Sequence, residues 1–189
     1  MSVKVYLEHG YGASSRDVEE ILGGHLLGSK EDSDLTIVVD RPLGYVSSCT
    51  LASSKPVIFL TWNRCPVYKL NLLDLRPNGL LEGRYLTNLP YVIEAVMEGE
   101  QVVPLIITPL TSKERTVLKL VARGYSNKTI ADMTNVGEQT IKNHIYSFYE
   151  KLHLKSRVQA AHYYFGNWHL IEGWRPPEVL RSMLQPSTD

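Results

Sequence analysis

The sequence predicts two unlike parts in series, a mostly parallel α/β domain and an all-α four-helix domain, and three observations predict it. Residues 1–109 hold short β-branched runs separated by stretches with helical spacing, the alternation that a parallel sheet with crossovers needs. From Leu110 to Phe165 the apolar residues recur every three or four positions, with hydroxyl caps and glycines between the repeats. The charge divides at the same place: residues 110–165 carry nine Lys/Arg against four Asp/Glu, and residues 1–109 nine against thirteen. The 189-residue chain, with 20 residues of each sign, is therefore neutral only as a sum. Neutrality excludes indiscriminate coating of a polyanion by the whole molecule, not a basic patch on one part of it.

In the first half, Val3–Leu7 alternates, while Leu35–Val39 and Val57–Thr61 are continuous apolar runs; all three read as strands. Leu70–Leu75 and Val102–Ile107 are weaker strand candidates, the second interrupted by Pro104. Ser14–Leu27 reads as a helix with Val18, Ile21, Leu22 and Leu26 or Leu27 on one side, broken or ended by Gly23-Gly24. Leu89–Gly99 reads as a second, with Val92, Ile93 and Val96 together. Arg41–Lys55, rich in Ser and Thr, fits an irregular loop or a poor helix.

In the second half, Thr111-Ser112-Lys113-Glu114 is a capping box opening a helix lined by Val117, Leu118, Val121 and Ala122 and ended by Gly124. Ser126 caps a second helix with Ile130, Ala131 and Met133, and Asn135-Val136-Gly137 makes a tight turn. A third helix carries one narrow stripe, Ile141, Ile145, Phe148 and Leu152. Ser156 and Gln159 form another capping box before a fourth helix with Val158, Ala161 and Phe165. Short helices joined by tight turns suit a helix-turn-helix. The third helix leaves Lys142, Asn143 and Tyr146 at i, i+1 and i+4 on one exposed face, the residue types that read bases in a major groove. Thr140, Lys128, Lys155 and Ser156 flank it and suit phosphate. His144, His153 and His162 fall on different helices and suggest no metal site.

The run Leu110–Phe165 resembles, over its whole length, the C-terminal domain of the NarL/FixJ/LuxR class of transcription regulators. The matching residues include Leu110-Thr111, Glu114, Val117-Leu118, Gly124, Ser126-Asn127-Lys128, Ile130-Ala131, Thr140-Ile141-Lys142, His144, Lys151-Leu152, Lys155-Ser156-Arg157 and Ala160. The resemblance implies double-stranded DNA as partner, base contacts at Lys142, Asn143 and Tyr146, and backbone contacts at Lys128, Thr140 and Lys155. It also implies a homodimer contact on the fourth helix at Val158, Gln159 and His162. Departures are Thr129 for a usual glutamate, Gly137 for a usual Ser or Thr cap, and the bulky Tyr146. The expected bounds are 1–104 for the first domain, 105–166 for the DNA-binding domain and 167–189 for an aromatic tail. In that tail Trp168, Leu170, Ile171 and Trp174 pack back on the first domain or a partner protomer, and Glu178–Leu184 forms a short helix.

The same class implies that the first domain is a doubly wound receiver, whose phosphoacceptor chemistry needs Mg²⁺, an aspartate ending the third strand, a sensing hydroxyl and a lysine. Glu8, Asp40 and Thr61 end strands at suitable places, but the acidic pair is reduced to Glu8-His9 and the segment between Leu27 and Leu35 is too short for the usual strand and helix. The fifth strand falls at Arg84–Leu86, so the lysine position reads Thr87 or Asn88; Arg76-Pro77 imitates a Lys-Pro pair in a poorly aligned place. The expectation is a shortened, atypical receiver-like domain with a vestigial phosphoacceptor pocket, in a dimeric, phosphorylation-independent regulator with no cofactor. The alternatives are a genuine phosphorylated response regulator, or an adaptor contacting RNA polymerase or another regulator. An enzyme is disfavoured, since no GxGxxG, GxxxxGK, HExxH or GxSxG is present. No run reaches the roughly 18 apolar residues that span a bilayer, and the N-terminus lacks a signal-peptide core. Cys49 and Cys65 are too few for a disulfide scaffold. A cytoplasmic protein without a membrane partner is expected.

Overall fold

A computed structural model describes residues 3–10, 16–23, 26–41, 43–44, 46 and 54–184. Cys49 and most of Arg41–Lys55 lie outside them. The chain divides into two compact units, Met1–Asn63 with Leu72–Leu105, and Arg64–Asn71 with Ile106–Asp189.

The first unit is built on a parallel five-stranded sheet: β1 (Lys4–His9), β2 (Leu26–Leu27), β3 (Leu35–Val39), β4 (Val57–Thr61) and β5 (Gly79–Glu82), in the order β2-β1-β3-β4-β5. That is the order of doubly wound sheets of the flavodoxin type. β3 and β4 are buried along their whole length, as continuous Val/Ile/Leu runs in the middle of a parallel sheet should be. Helices α1 (Arg16–Leu22) and α3 (Leu89–Met97) supply Val18, Leu22, Leu89, Val92, Ile93 and Val96 to one core with Leu35, Ile37, Val39, Ile58 and Leu60.

Four expectations in this half are corrected. Leu70–Leu75 is not a strand: α2 (Pro66–Leu73) occupies most of it, starting on a proline whose fixed φ suits a first helical turn. Short apolar runs fit either period, and here helix won. The fifth strand is Gly79–Glu82, whereas Arg84–Leu86 lies in 3-10 turns over Gly83–Asn88. A Cβ at Gly79 would lie 3.1 Å from Ile58 and 3.3 Å from Val92, so its lack of a side chain lets sheet and helix meet. The first helix ends before Gly23, in keeping with the Gly23-Gly24 pair, but Leu26–Leu27 does not belong to it and pairs with β1 as a two-residue strand. Val102–Ile107 contributes only a bridge between Gly79 and Val102; Val103, Leu105 and Ile107 are exposed beyond it.

The second unit holds α4 (Ser112–Ala122), α5 (Asn127–Thr134), α6 (Glu138–Leu152), α7 (Arg157–Tyr164) and α8 (Glu178–Leu184). Thr111 accepts from Glu114 N while the Glu114 carboxylate accepts from Thr111 N, the full capping box. Gly124, at φ +86°, follows the end of α4, and Asn135 and His153 end α5 and α6 in the left-handed region. The second box is incomplete: Ser156 accepts from Gln159 N, but Gln159 Oε1 accepts from Lys155 N rather than Ser156 N. Met133 is exposed, so α5 buries only Ile130 and Ala131. On α7 the buried face is Ala160, Tyr163 and Tyr164, not Val158, Ala161 and Phe165. Both tyrosines find aromatic partners inside the unit. Tyr164 packs edge-on to Tyr68 at 5.2 Å and its hydroxyl accepts from Asn71 Nδ2 at 3.1 Å. The tail packs on its own helical unit: Trp168 Nε1 donates to Tyr163 O, Trp174 Nε1 donates to Leu152 O, and both rings lie against Tyr163. Cys65 is fully buried in this unit, and burial pushes its thiol up to about 12, which leaves it unreactive.

Candidate nucleic-acid interface

The seat of α6 is fixed first by its apolar stripe, since Ile141, Ile145, Phe148 and Leu152 are all buried. It is fixed a second time by Glu114, a buried carboxylate at the start of α4. Its Oε2 accepts from Thr111 N at 2.7 Å and from Thr111 Oγ1 at 3.0 Å, while Oε1 accepts from Ser147 Oγ at 2.6 Å. Lys151 Nζ reaches both oxygens at 2.8 Å. Burial by itself would raise this carboxyl, but the donors from Lys151, Ser147 and Thr111 outweigh it and hold the group at about 2. Arg157 joins the starts of α7 and α5, donating to Asn127 Oδ1 at 2.8 Å and to the Tyr125 carbonyl.

What this leaves outside is the opposite face of α6. Lys142, Asn143 and Tyr146 are all exposed, Tyr146 by 66%. Each of the first two is held by a side chain one turn earlier: Lys142 Nζ lies 3.4 Å from Glu138 Oε1, and Asn143 Oδ1 accepts from Gln139 Nε2 at 3.1 Å. Gly137 stands before α6 without a side-chain cap, and Thr140 is exposed in the first turn. Lys128 is exposed on α5 and Lys155 in the turn before α7. Ser156 caps α7 with its oxygen. On α7, Val158 is 65% exposed, while Gln159 and His162 are half-buried.

The carboxyl ends of the β-strands form the other candidate place, since doubly wound sheets bind ligands there. Asp40 follows β3 and is fully buried. Its Oδ1 accepts from Gly44 N at 3.1 Å and Val46 N at 3.3 Å, and its Oδ2 from Thr61 Oγ1 at 2.9 Å. Thr61 Oγ1 in turn accepts from Asn63 N. Glu8 lies one residue before the end of β1, 3.7 Å from Lys30. Glu82, at the end of β5, pairs with Arg84 at 2.6 Å. Trp62 lies close against Gly83, where a Cβ would come within 2.2 Å of the ring. Arg41 lies over the Trp62 ring at 3.6 Å and makes a two-pronged pair with Asp17 at 3.0 and 3.1 Å.

Among the described residues, Asp40 is met by donors of the chain itself, and Glu8 and Glu82 lie beside Lys30 and Arg84. Among the described residues no group of three or more His, Cys, Asp or Glu gathers to hold a metal. Asp40 and Thr61 are thus brought together, and Glu8 is paired elsewhere. Neither the contacts of Trp62 with Arg41 and Gly83 nor the Glu114–Ser147–Lys151 cluster is legible in the sequence. Glu114 reads there as a cap, and Lys151 stands 37 residues away.

Residues 108–164 match the family described as bacterial regulatory proteins, luxR family. The nitrate/nitrite response regulator NarL of Escherichia coli K12 is 46% identical over 55 residues, which are 29% of this chain and 26% of NarL. NarP of the same organism is 43% identical over 71 residues, 38% of this chain and 32% of NarP. The chain thus spans about a quarter to a third of these relatives. Over most of its length it shares a fold with RcsB of Salmonella enterica serovar Typhimurium, solved bound to the promoter P1flhDC with the phosphomimetic BeF3⁻. The TM-score is 0.54 and the identity 20%, over 87% of this chain and 98% of that one. Among the described residues no helix is long and apolar enough to cross a membrane. Residues 108–164 thus match the helix-turn-helix domain of luxR-family bacterial regulatory proteins, and a parallel α/β domain of receiver-like strand order precedes them.

Proposed function

We propose that the chain is a sequence-specific, dimeric, DNA-binding transcription regulator. The observation that carries the reading is the exposed face of α6, with Lys142, Asn143 and Tyr146 opposite a wholly buried stripe, in a region of net charge plus five. A helix of this kind enters the major groove, where Lys142 donates to guanine, Asn143 pairs with adenine and Tyr146 lies close by. Lys128, Thr140, Lys155 and Ser156 take backbone phosphates on either side. Val158, Gln159 and His162 supply the contact between two copies, and pairing doubles the base pairs read. The likeness to RcsB, described as two dimers bound to two parallel DNAs, supports both DNA and the dimer. RNA polymerase or another regulator is the further partner of such a protein.

The surroundings of Asp40 support independence from phosphorylation. The descriptions of the relatives, and the adjacency of Asp40 and Thr61 at two strand ends, favour a second reading as a phosphorylated response regulator. Incubation with a small phosphodonor and Mg²⁺, followed by intact mass, separates the two: an adduct lost in Asp40→Asn supports the second. DNA binding itself is tested by affinity for promoter fragments at two salt concentrations, where contacts to phosphate must weaken as salt rises.

A further inference from the structure

We infer that Gln139 is a positioning residue for base reading, fixing the amide of Asn143 so that it recognises adenine. The inference rests on the DNA-binding reading above and adds to it a residue and a base. Gln139 and Asn143 are one helical turn apart on the exposed face of α6, and Gln139 Nε2 donates to Asn143 Oδ1 at 3.1 Å.

An asparagine amide has a carbonyl at one end and an amino group at the other, and in solvent it can turn over. The bond from Gln139 pins the carbonyl toward the first turn of the helix and sends the amino group to the other side. One lone pair of Oδ1 and both N–H groups of Nδ2 remain available. In the major groove adenine alone offers, side by side, an N6–H donor and an N7 acceptor; guanine offers two acceptors and cytosine a donor. A fixed amide therefore pairs with adenine through both of its ends, and with the others through one. The bland account is that two exposed amides merely steady the helix by a few tenths of a kcal/mol. That account predicts no change in base preference when Gln139 is removed.

The test uses the full chain and fragments selected from random-sequence DNA. Asn143→Ala first identifies the base pair that Asn143 reads, as the position whose preference disappears. Affinities for all four bases at that position are then compared, at one salt concentration, for the original chain, Gln139→Ala, Gln139→Glu and the phosphate-contact control Lys128→Ala. The original chain should favour adenine by about tenfold or more. Gln139→Ala should cut the preference to about threefold or less, with helicity unchanged. Gln139→Glu, which can only accept, should turn the Asn143 amide over and abolish the preference. Lys128→Ala should weaken every fragment equally. Full adenine preference retained in Gln139→Ala overturns the inference, as does an Asn143→Ala chain with unaltered preferences. If the original chain binds no fragment over competitor, the DNA-binding reading fails and the inference with it.

Discussion

Replacing Glu114 by Gln removes one charge from the junction of α4 and α6 while keeping its shape. The folded carboxyl sits at about 2 against an ordinary 4.5. At 1.36 kcal/mol per unit, a shift of that size corresponds to about 3 kcal/mol. The Lys151 side chain is 35% exposed, so solvent screening reduces the realised part to about 1–2 kcal/mol. Because the folded value is the lower one, this stability is complete above about 4.5 and is lost as the pH falls toward 2. Urea unfolding, followed by tryptophan fluorescence with Trp168 and Trp174 in the helical unit, measures it. At pH 6 the Glu114→Gln chain should be less stable by that amount, and at pH 2.5 most of the difference should have gone. An equal deficit at both values would refute the reasoning, since the loss would then be one of packing rather than charge.

Gly83→Ala places a methyl within 2.2 Å of the Trp62 ring and forces it off its seat under Arg41. Overpacking of this kind costs about 1–3 kcal/mol, and an unchanged melting temperature would contradict the stack. Thr61→Val removes the donor to buried Asp40 Oδ2 and the acceptor of Asn63 N–H. Leaving such groups unsatisfied costs about 1–3 kcal/mol, read as a shift in the urea midpoint. Lys128→Ala should lower the slope of log affinity against log salt by about one without changing base ratios.

The helical half was the more legible because its signals are local. The Ile141, Ile145, Phe148 and Leu152 stripe follows the 3.6-residue period, and every member is buried. Thr111 and Glu114 cap each other within one turn. What escaped there depends on neighbours from elsewhere. Which face of α7 is inward was decided by Tyr68 and Asn71 meeting Tyr164, and nothing in the spacing of Val158 and Ala161 reports that. In the α/β half the central strands were evident from their β-branched runs. The edge strand was not, because Gly79–Glu82 is a four-residue run whose glycine has its use only where Ile58 and Val92 meet it. The enclosure of Asp40 was beyond the sequence for the same reason. Its position after LTIVV was plain, but Thr61 reaches its carboxylate only because β4 lies beside β3 in the sheet.

If α6 reads DNA, the full chain binds a selected fragment saturably over unrelated competitor at equilibrium, with affinity falling steeply from low to physiological salt as several phosphate contacts release their counterions. Lys142→Ala and Asn143→Ala should each lose selectivity. Binding that ignores salt, or that unrelated DNA competes away equally well, would show that α6 does not read DNA.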